Sequence, residues 1–439
     1  MERSKSRSVL DIFALVIAVL MVYLIVLSGL GLSLTAHSPY DSYTLQAMSW
    51  REGRTTVDQA THSWLELALF DNEYYVSFPP FPSVVMLPLT WIHGEKTPTL
   101  LVNLIMLLMT AGFGFALLER MGIERGKAAV LAFFYVCGCN LWIIMLRGGV
   151  WYTAQGMSML LTTIFFFGVT ARPGRPGNRD GAEGTGRPGS RDRAEGTGRP
   201  GSRDGAEAPG GWGSGGMAAG LICIALAVGC RPFQAIYVPY GLYQLYRFRH
   251  RQGEGFFSTC LRMIPFVIVP LIIAGAYGWY NALRFGNPLE FGHNYLPEFT
   301  REGNTQFSTA HWLHNLQNIL RMPKLVNGVL TFEMLGPSAL VLLNPMYVIS
   351  LLETIRRLWR REMAAEDWIL TVSLMIHFNL LLLHRTLGGM QLGTRYMIDL
   401  MPAMLALTWR RGRKLYRTDA LLMLLGIAMN IYGSVVFFK

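Results

Sequence analysis

Long apolar runs, separated by short segments that carry most of the charge, restrict most strongly what this chain can fold into. The runs fall near residues 9–32, 97–118, 128–146, 153–170, 215–230, 232–246, 262–283, 336–355, 368–384, 396–409 and 419–438. About 20 apolar residues span the hydrocarbon of a bilayer, and a helix satisfies its backbone hydrogen bonds there without water. The sequence therefore predicts an all-α polytopic membrane protein with about eleven transmembrane helices.

The composition and the placement of charge agree with this prediction. Charged residues make up 15% of the chain, whereas about 25% is usual for a soluble protein. The net charge of +11 arises from basic residues that flank the apolar runs instead of forming a stripe beside aromatic residues. This placement is typical of positive-inside topology with a cytoplasmic N-terminus, and it excludes a nucleic-acid partner.

Three regions follow from the hydropathy pattern. Residues 1–170 form an N-terminal membrane region that starts with an uncleaved span, because the apolar run at 9–32 is too long for a signal peptide. Residues 171–214 are predicted to be a disordered cytoplasmic linker, because a Gly-, Pro- and charge-rich unit written three times offers nothing for a core. Residues 215–439 form the C-terminal membrane region.

Two large loops are expected on the extracytoplasmic face, at 33–96 and 284–335. Both are rich in Trp, Tyr, Phe, His and Asn, as expected of helices that lie in the membrane interface. Within the first loop, residues 78–91 are apolar, rich in proline and too short to span, so they are predicted to be re-entrant or interfacial.

Four stretches resemble the GT-C glycosyltransferases, especially the bacterial branch related to protein O-mannosyltransferases and the lipid A aminoarabinose transferase. The stretches are SPYDSYTLQAMSW (38–50), DNEYYVSFPPFPSVVMLP (71–88), GLICIALAVGCRPFQAIYVP (220–239) and LGTRYMIDLMP (392–402). The resemblance implies a GT-C-like fold in a bacterial plasma membrane. It also implies transfer of a sugar from a polyprenyl-phosphate donor to an extracytoplasmic protein, lipid or cell-envelope glycan, with inversion.

The resemblance implies that Asp41, which follows the first span by a few residues, is the catalytic base. Transfer from a lipid phosphate needs a base for the acceptor's proton. Phosphate departs as an anion without being protonated, so one carboxylate suffices where a glycosidase uses two. The residues themselves leave a second interpretation open, in which Asp41 is the N-cap of an interfacial helix.

Three cations are predicted to bind the donor phosphate, namely Arg231, Arg395 and Lys96. The two arginines lie between apolar helices, where a charge is costly without a partner or a ligand, and their planar guanidinium groups suit phosphate oxygens. The alternative is a structural ion pair. For Arg395 that alternative is slightly favoured, because Asp399 lies one helical turn further on.

Further substrate contacts are predicted at Tyr74, Tyr75, His293 and Tyr295, since rings and polar groups suit sugars; for each, interfacial anchoring is the alternative. Many GT-C members carry a second acid after the third span. Residues 146–156 hold no carboxylate, and a divalent cation wants several oxygen ligands. We therefore expect no cofactor and no obligate metal, with a divalent metal as the alternative.

Two other function classes remain open. A membrane transporter or lipid flippase would fit the hydropathy, but the two halves show no internal repeat and few ionisable residues lie inside the spans. The missing second acid also leaves open a scaffold that keeps the fold without activity.

Overall fold

The computed structural model describes residues 2–58, 66–171, 213–251, 253–300 and 305–438, with side chains from Leu10 onward. The predicted linker at 171–214 lies almost entirely outside these residues. The helices are Glu2–Gly29 (α1), Ser42–Arg51 (α2), Phe81–His93 (α3), Thr99–Arg120 (α4), Arg125–Cys137 (α5), Leu141–Met145 (α6), Val150–Val169 (α7), Ser214–Val228 (α8), Val238–Arg249 (α9), Phe256–Phe285 (α10), Trp312–Leu320 (α11), Leu340–Leu343 (α12), Met346–Trp359 (α13), Ala365–Leu382 (α14), Met401–Thr408 (α15) and Arg417–Phe438 (α16).

Helices dominate as predicted, and the chain is an integral membrane protein. Among the described residues, six helices are long and apolar enough to cross a bilayer, namely α1, α4, α7, α10, α14 and α16. The other predicted spans form shorter or interrupted helices. The run at 128–146 breaks after Cys137 into α5 and α6, and the run at 215–246 breaks at Arg231-Pro232. The predicted count of about eleven spans is therefore not confirmed.

α7 lies at the centre of the bundle, because nearly all of its side chains are buried between α4 and α8. Close approach of α7 and α8 depends on two glycines: a Cβ on Gly168 would lie 2.6 Å from the Gly216 carbonyl oxygen and 2.8 Å from the Gly220 Cα. α10 is peripheral, with few fully buried side chains along its apolar stretch, and one side of it packs against α8 and α9. Lipid would cover its outer side in a bilayer.

Short hairpins and helices fill the two predicted loops. Leu67–Phe70 (β1) pairs antiparallel with Glu73–Val76 (β2), and Lys324–Val326 (β3) pairs with Val329–Thr331 (β4). Both hairpins turn through two residues with positive φ, the backbone that two-residue hairpin loops require. Residues 78–91, predicted to be re-entrant or interfacial, lie mainly in the 13-residue helix α3. We call the face that carries these loops the loop face.

The opposite face carries the basic connections, which ion pairs hold together. The Glu353 carboxylate pairs with Arg357 Nε at 2.8 Å and with Arg413 Nε at 2.9 Å. Arg413 Nη1 also pairs with Asp419 Oδ2 at 2.8 Å. All four side chains are almost completely buried. These arginines therefore have carboxylate partners, which distinguishes them from the arginines of the loop face discussed next.

Candidate functional site

Two cavities open at the loop face, and each contains one of the predicted arginines. The first, of about 270 Å³, is the Arg231 cavity, lined by Ser77, Phe78, Pro79, Cys230, Arg231, Pro232, Phe233, Leu289, Glu290, Phe291, His293, Asn294, Gln306, Phe307, Leu381, His384 and Tyr396. The second, of about 560 Å³, is the Arg395 cavity, lined by Leu32, Ala36, His37, Ser38, Pro39, Tyr40, Glu66, Thr99, Leu100, Leu146, Arg147, Gly148, Trp151, Tyr152, Gly389, Met390, Arg395 and Phe438.

A carboxylate holds the Nε of Arg231, and the two Nη atoms of this side chain face a cavity. Arg231 lies at the break between α8 and the 3₁₀ segment Pro232–Tyr237, where its Nε donates to Asp399 Oδ2 at 2.9 Å. Within the described residues, neither of its Nη atoms donates a hydrogen bond, although the side chain is only 17% exposed. The structure thus gives Arg231 an ion pair and leaves its outer nitrogens on a cavity wall.

Arg395 does not pair with Asp399, so the favoured sequence interpretation is wrong. Residues 395–400 form a 3₁₀ helix instead of an α-helix. With three residues per turn, side chains four positions apart diverge by about a third of a turn instead of sharing a face. Asp399 consequently turns to Arg231, and in the described part of the chain no carboxylate lies within ion-pair distance of Arg395.

Both arginines lie against the ring of Tyr396. The guanidinium carbon of Arg231 lies 4.6 Å from the ring centroid, and that of Arg395 lies 5.2 Å from it. Arg395 also lies 5.2 Å from the Tyr152 ring. The two predicted phosphate ligands are therefore close neighbours, yet they face different cavities.

Glu66 is a candidate residue that the sequence interpretation missed. It lies just before β1 with a positive φ of 50° and lines the Arg395 cavity together with Trp151. Burial raises the pKa of its carboxyl above the ordinary 4.5, and the Trp151 contact and the charge of Arg395 oppose that rise. In sequence it is a single glutamate before an apolar strand, so no spacing or motif distinguishes it from a surface residue.

Asp41 caps a helix, as one of the two sequence interpretations has it. Its Oδ1 accepts from the Thr44 amide at 3.2 Å and its Oδ2 from the Thr44 hydroxyl, at the start of α2. The side chain is 2% exposed and lines neither cavity, although the preceding Tyr40 lines the Arg395 cavity. Burial raises the pKa of Asp41, while Thr44 and His37 oppose the rise. Its role as catalytic base stays a prediction.

Two histidines face each other in the Arg231 cavity. The ring centroids of His293, a predicted substrate contact, and His384, which the sequence did not single out, lie 6.1 Å apart. Burial and the Arg231 charge lower the pKa of His293 to about 4. Burial, His293 and Arg231 lower that of His384 to about 3. Both rings are therefore neutral near pH 7 and carry one N–H each; the His293 ring is hydrogen-bonded to the Ser77 backbone.

The remaining predicted contacts lie outside both cavities. Tyr75 and Tyr295 pack against Phe285, with ring centroids 5.3 Å and 5.4 Å away. Tyr74 is half-buried in β2, and Lys96 is exposed at the end of a 3₁₀ turn after α3. Tyr75 and Tyr295 thus stabilise the first hairpin against α10, and none of these four side chains lines a cavity in this conformation.

Within the described ranges, no group of three or more His, Cys, Asp or Glu side chains is arranged to hold a metal ion. The expectation of no obligate metal stays a prediction.

The chain was compared with known proteins at three levels. No family model matches it, and no curated protein matches it in sequence. Among solved structures, it is similar to ArnT from Cupriavidus metallidurans bound to undecaprenyl phosphate, at 14% identity and a TM-score of 0.49, over 95% of this chain and 62% of ArnT. It is also similar to the apo oligosaccharyltransferase of Archaeoglobus fulgidus, at 13% identity and a TM-score of 0.49, over 97% of this chain and 55% of that one.

Both matched proteins are at 14% identity or less with TM-scores of 0.49, and the family resemblance seen in the sequence stays a prediction. The chain spans 62% or less of their length. Similarity at this level carries no conclusion about the reaction, the donor or the acceptor.

Proposed function

We propose that this protein is a membrane glycosyltransferase that moves a sugar from a polyprenyl-phosphate donor to an acceptor on the extracytoplasmic side. One observation carries the proposal: within the described residues, guanidinium nitrogens of Arg231 that make no hydrogen bond line one loop-face cavity, and the carboxylate of Glu66 lines the other. A cation for the leaving phosphate and a base for the attacking hydroxyl are the two groups that such a displacement needs.

The Arg231 cavity would receive the donor. Its wall is largely aromatic and apolar, which suits the first prenyl unit and one face of a sugar. Within the described residues, the two Nη atoms of Arg231 make no other hydrogen bond and can donate to phosphate oxygens, and the neutral ring of His384 adds an N–H donor without adding charge.

The transfer is a single displacement. The acceptor's hydroxyl oxygen attacks the anomeric carbon of the sugar as the bond from that carbon to the phosphate oxygen breaks. The electron pair leaves on the phosphate, whose added negative charge faces Arg231, and the hydroxyl proton passes to a carboxylate. Because the cations are fixed before the reaction, they stabilise this charge with little reorganisation.

Glu66 is the carboxylate that we propose as proton acceptor. It already lines the acceptor-side cavity, and its raised pKa makes it a stronger base than a solvated glutamate. Both oxygens of Asp41 already accept hydrogen bonds from Thr44, which lowers the basicity of this carboxylate, and the side chain lines neither cavity. Asp41 remains the alternative base that the resemblance implies, and two variants separate the two assignments.

The test uses the full chain in lipid nanodiscs with undecaprenyl-phosphate-linked mannose, glucose, galactose and aminoarabinose. Release of undecaprenyl phosphate and labelling of an envelope extract are followed together. We expect Glu66→Gln to lower the rate by about 10²-fold or more, and Asp41→Asn to lower it by less than about 10-fold. Glu73→Gln, which changes an exposed carboxylate of the same hairpin, is the matched control and should keep the wild-type rate.

The other outcomes are equally decisive. If only Asp41→Asn is inactive, the base is Asp41. If both variants retain full rate, the carboxylate mechanism is wrong. Release of no undecaprenyl phosphate by the wild type, together with uptake of an intact sugar lipid into proteoliposomes, would instead establish a flippase.

A further inference from the structure

Among the described residues, two guanidinium groups that line the Arg395 cavity have no carboxylate partner. Arg395 is 5% exposed, and within the same residues its buried Nε has no hydrogen-bond acceptor. The guanidinium carbon of Arg147 lies 4.7 Å from the Phe437 ring centroid and 5.6 Å from that of Tyr152. In the part of the chain that the structure describes, neither side chain donates a hydrogen bond or forms an ion pair.

Burying an arginine without a partner is costly. Ring contacts offset only part of the free energy that removing a charge from water costs. The carboxylate in this cavity is Glu66, which lies beyond ion-pair distance and offers one negative charge against two positive ones. The arrangement is therefore electrostatically incomplete, and an anion would complete it.

We infer that the Arg395 cavity binds a phosphate monoester group carried by the acceptor, so that the acceptor is a phosphorylated molecule. This inference rests on the proposed function. The planar guanidinium groups of Arg147 and Arg395 bind the phosphate oxygens, and Ser38 and His37 lie on the same wall. The acceptor's hydroxyl then lies beside Glu66.

This anion and the donor's phosphate lie in different cavities. Arg231 lines one cavity and Arg395 lines the other, and both guanidinium groups lie against the ring of Tyr396. The Arg395 cavity is also the larger of the two, about 560 Å³ against 270 Å³. Its apolar wall residues Leu32, Leu100 and Leu146 suit an acyl or alkyl chain beside the phosphate.

Three probes test the inference by equilibrium binding to the full chain in nanodiscs, without any donor. They are decyl glucoside 6-phosphate, decyl glucoside, and glucose 6-phosphate. We expect the phosphorylated glycoside to bind at least about 10-fold more tightly than the neutral one. Glucose 6-phosphate shows whether the group is recognised on a soluble molecule, and preference for the alkyl form identifies a lipid acceptor.

Variants locate the phosphate. Arg395→Gln and Arg147→Gln should each remove most of the 10-fold preference, whereas Arg231→Lys should keep it. Arg321→Gln is the matched control, because Arg321 is a half-exposed arginine that lies outside both cavities and pairs with Glu333. A preference that survives Arg395→Gln and Arg147→Gln, or that disappears only in Arg231→Lys, would overturn the inference.

The unfolding temperature of Arg395→Gln is a second test. A ligand-binding role and a purely structural role for Arg395 predict changes of opposite sign in that temperature. If the side chain is retained for a ligand, Arg395→Gln removes an unpaired buried charge, and the unfolding temperature stays the same or rises. A clear fall in that temperature would show that Arg395 is needed for the fold and would contradict the inference. Phosphate-dependent binding without sugar transfer would reject the proposed function alone.

Discussion

His293 and His384 show how the cavity constrains single residues. Their pKa values in the folded protein, about 4 and about 3, lie below the ordinary 6.5. As pH falls through 6.5, these two histidines take up protons in the unfolded chain but stay neutral in the folded chain. Stability is therefore complete above pH 6.5 and declines below it, by up to about 1.4 kcal/mol per pH unit for each histidine.

We predict that the unfolding temperature of the detergent-solubilised protein falls steadily between pH 7 and pH 5, and that His384→Asn flattens this dependence. The exposed His314, on α11, provides the control, since His314→Asn should keep the wild-type slope. An unchanged slope in His384→Asn would show that another group titrates.

Single residues also show where sequence interpretation stops. Asp41 was correctly offered as a helix cap, because capping depends on local sequence alone. The predicted pairing of Asp399 with Arg395 is wrong, because a four-residue spacing suits an α-helix and the backbone here is a 3₁₀ helix. Glu66 and His384 reach their cavities through contacts between distant segments, and a single sequence carries no signal for such contacts.

At the scale of elements, the contact between α7 and α8 depends on the absence of side chains. A Cβ on Gly168 would lie 2.6 Å from a backbone oxygen and 2.8 Å from a backbone carbon, neither of which can move freely. A Cβ on Gly112, within α4, would meet nothing within 4 Å. The same substitution should therefore have opposite effects at the two sites.

We predict that Gly168→Ala destabilises the protein by about 1–3 kcal/mol through overpacking. Gly112→Ala should be neutral or stabilise it by up to about 1 kcal/mol, because alanine is the better helix former. Unfolding temperatures of the two variants in the same detergent check both values. Equal effects of the two substitutions would mean that α7 and α8 separate without cost.

The sequence predicts the positions of the helices better than it predicts how many of them span the membrane. Apolar runs locate almost every helix, because helix formation is the way an apolar segment satisfies its backbone. They overestimate length where a glycine or proline interrupts the ladder, as at Gly138 between α5 and α6 or at Pro232 before α9. The number of such interruptions explains why six long helices stand against a prediction of about eleven.

At the scale of the whole molecule, the described segments on the two sides of the predicted linker pack directly on each other. α8 packs against α7, α15 packs against α7, and α16 packs against α5. This interface is formed by helix packing and needs no covalent connection. The inward position of the basic loops stays a prediction, since the fold itself does not orient the protein in a membrane.

We therefore predict that a protease site placed between residues 185 and 200 can be cut without separating the halves. Both fragments should co-purify in mild detergent and keep the unfolding temperature of the uncut chain within about 2 °C, a shift that corresponds to roughly 2 kcal/mol for a chain of this length. A Gly168→Ala version should separate more readily. Dissociation of the wild-type fragments on cutting would show that the connection itself holds the bundle together.

The contact of one ring, Tyr396, with two guanidinium groups has a thermodynamic consequence. A negative charge that draws either arginine towards it also changes the contact of that arginine with the shared ring. Occupancy of one cavity is thereby linked to affinity in the other, and linkage is reciprocal: whatever factor the first ligand imposes on the second, the second imposes on the first. A shared aromatic contact of this kind makes donor and acceptor affinities interdependent, to the same degree whichever ligand binds first.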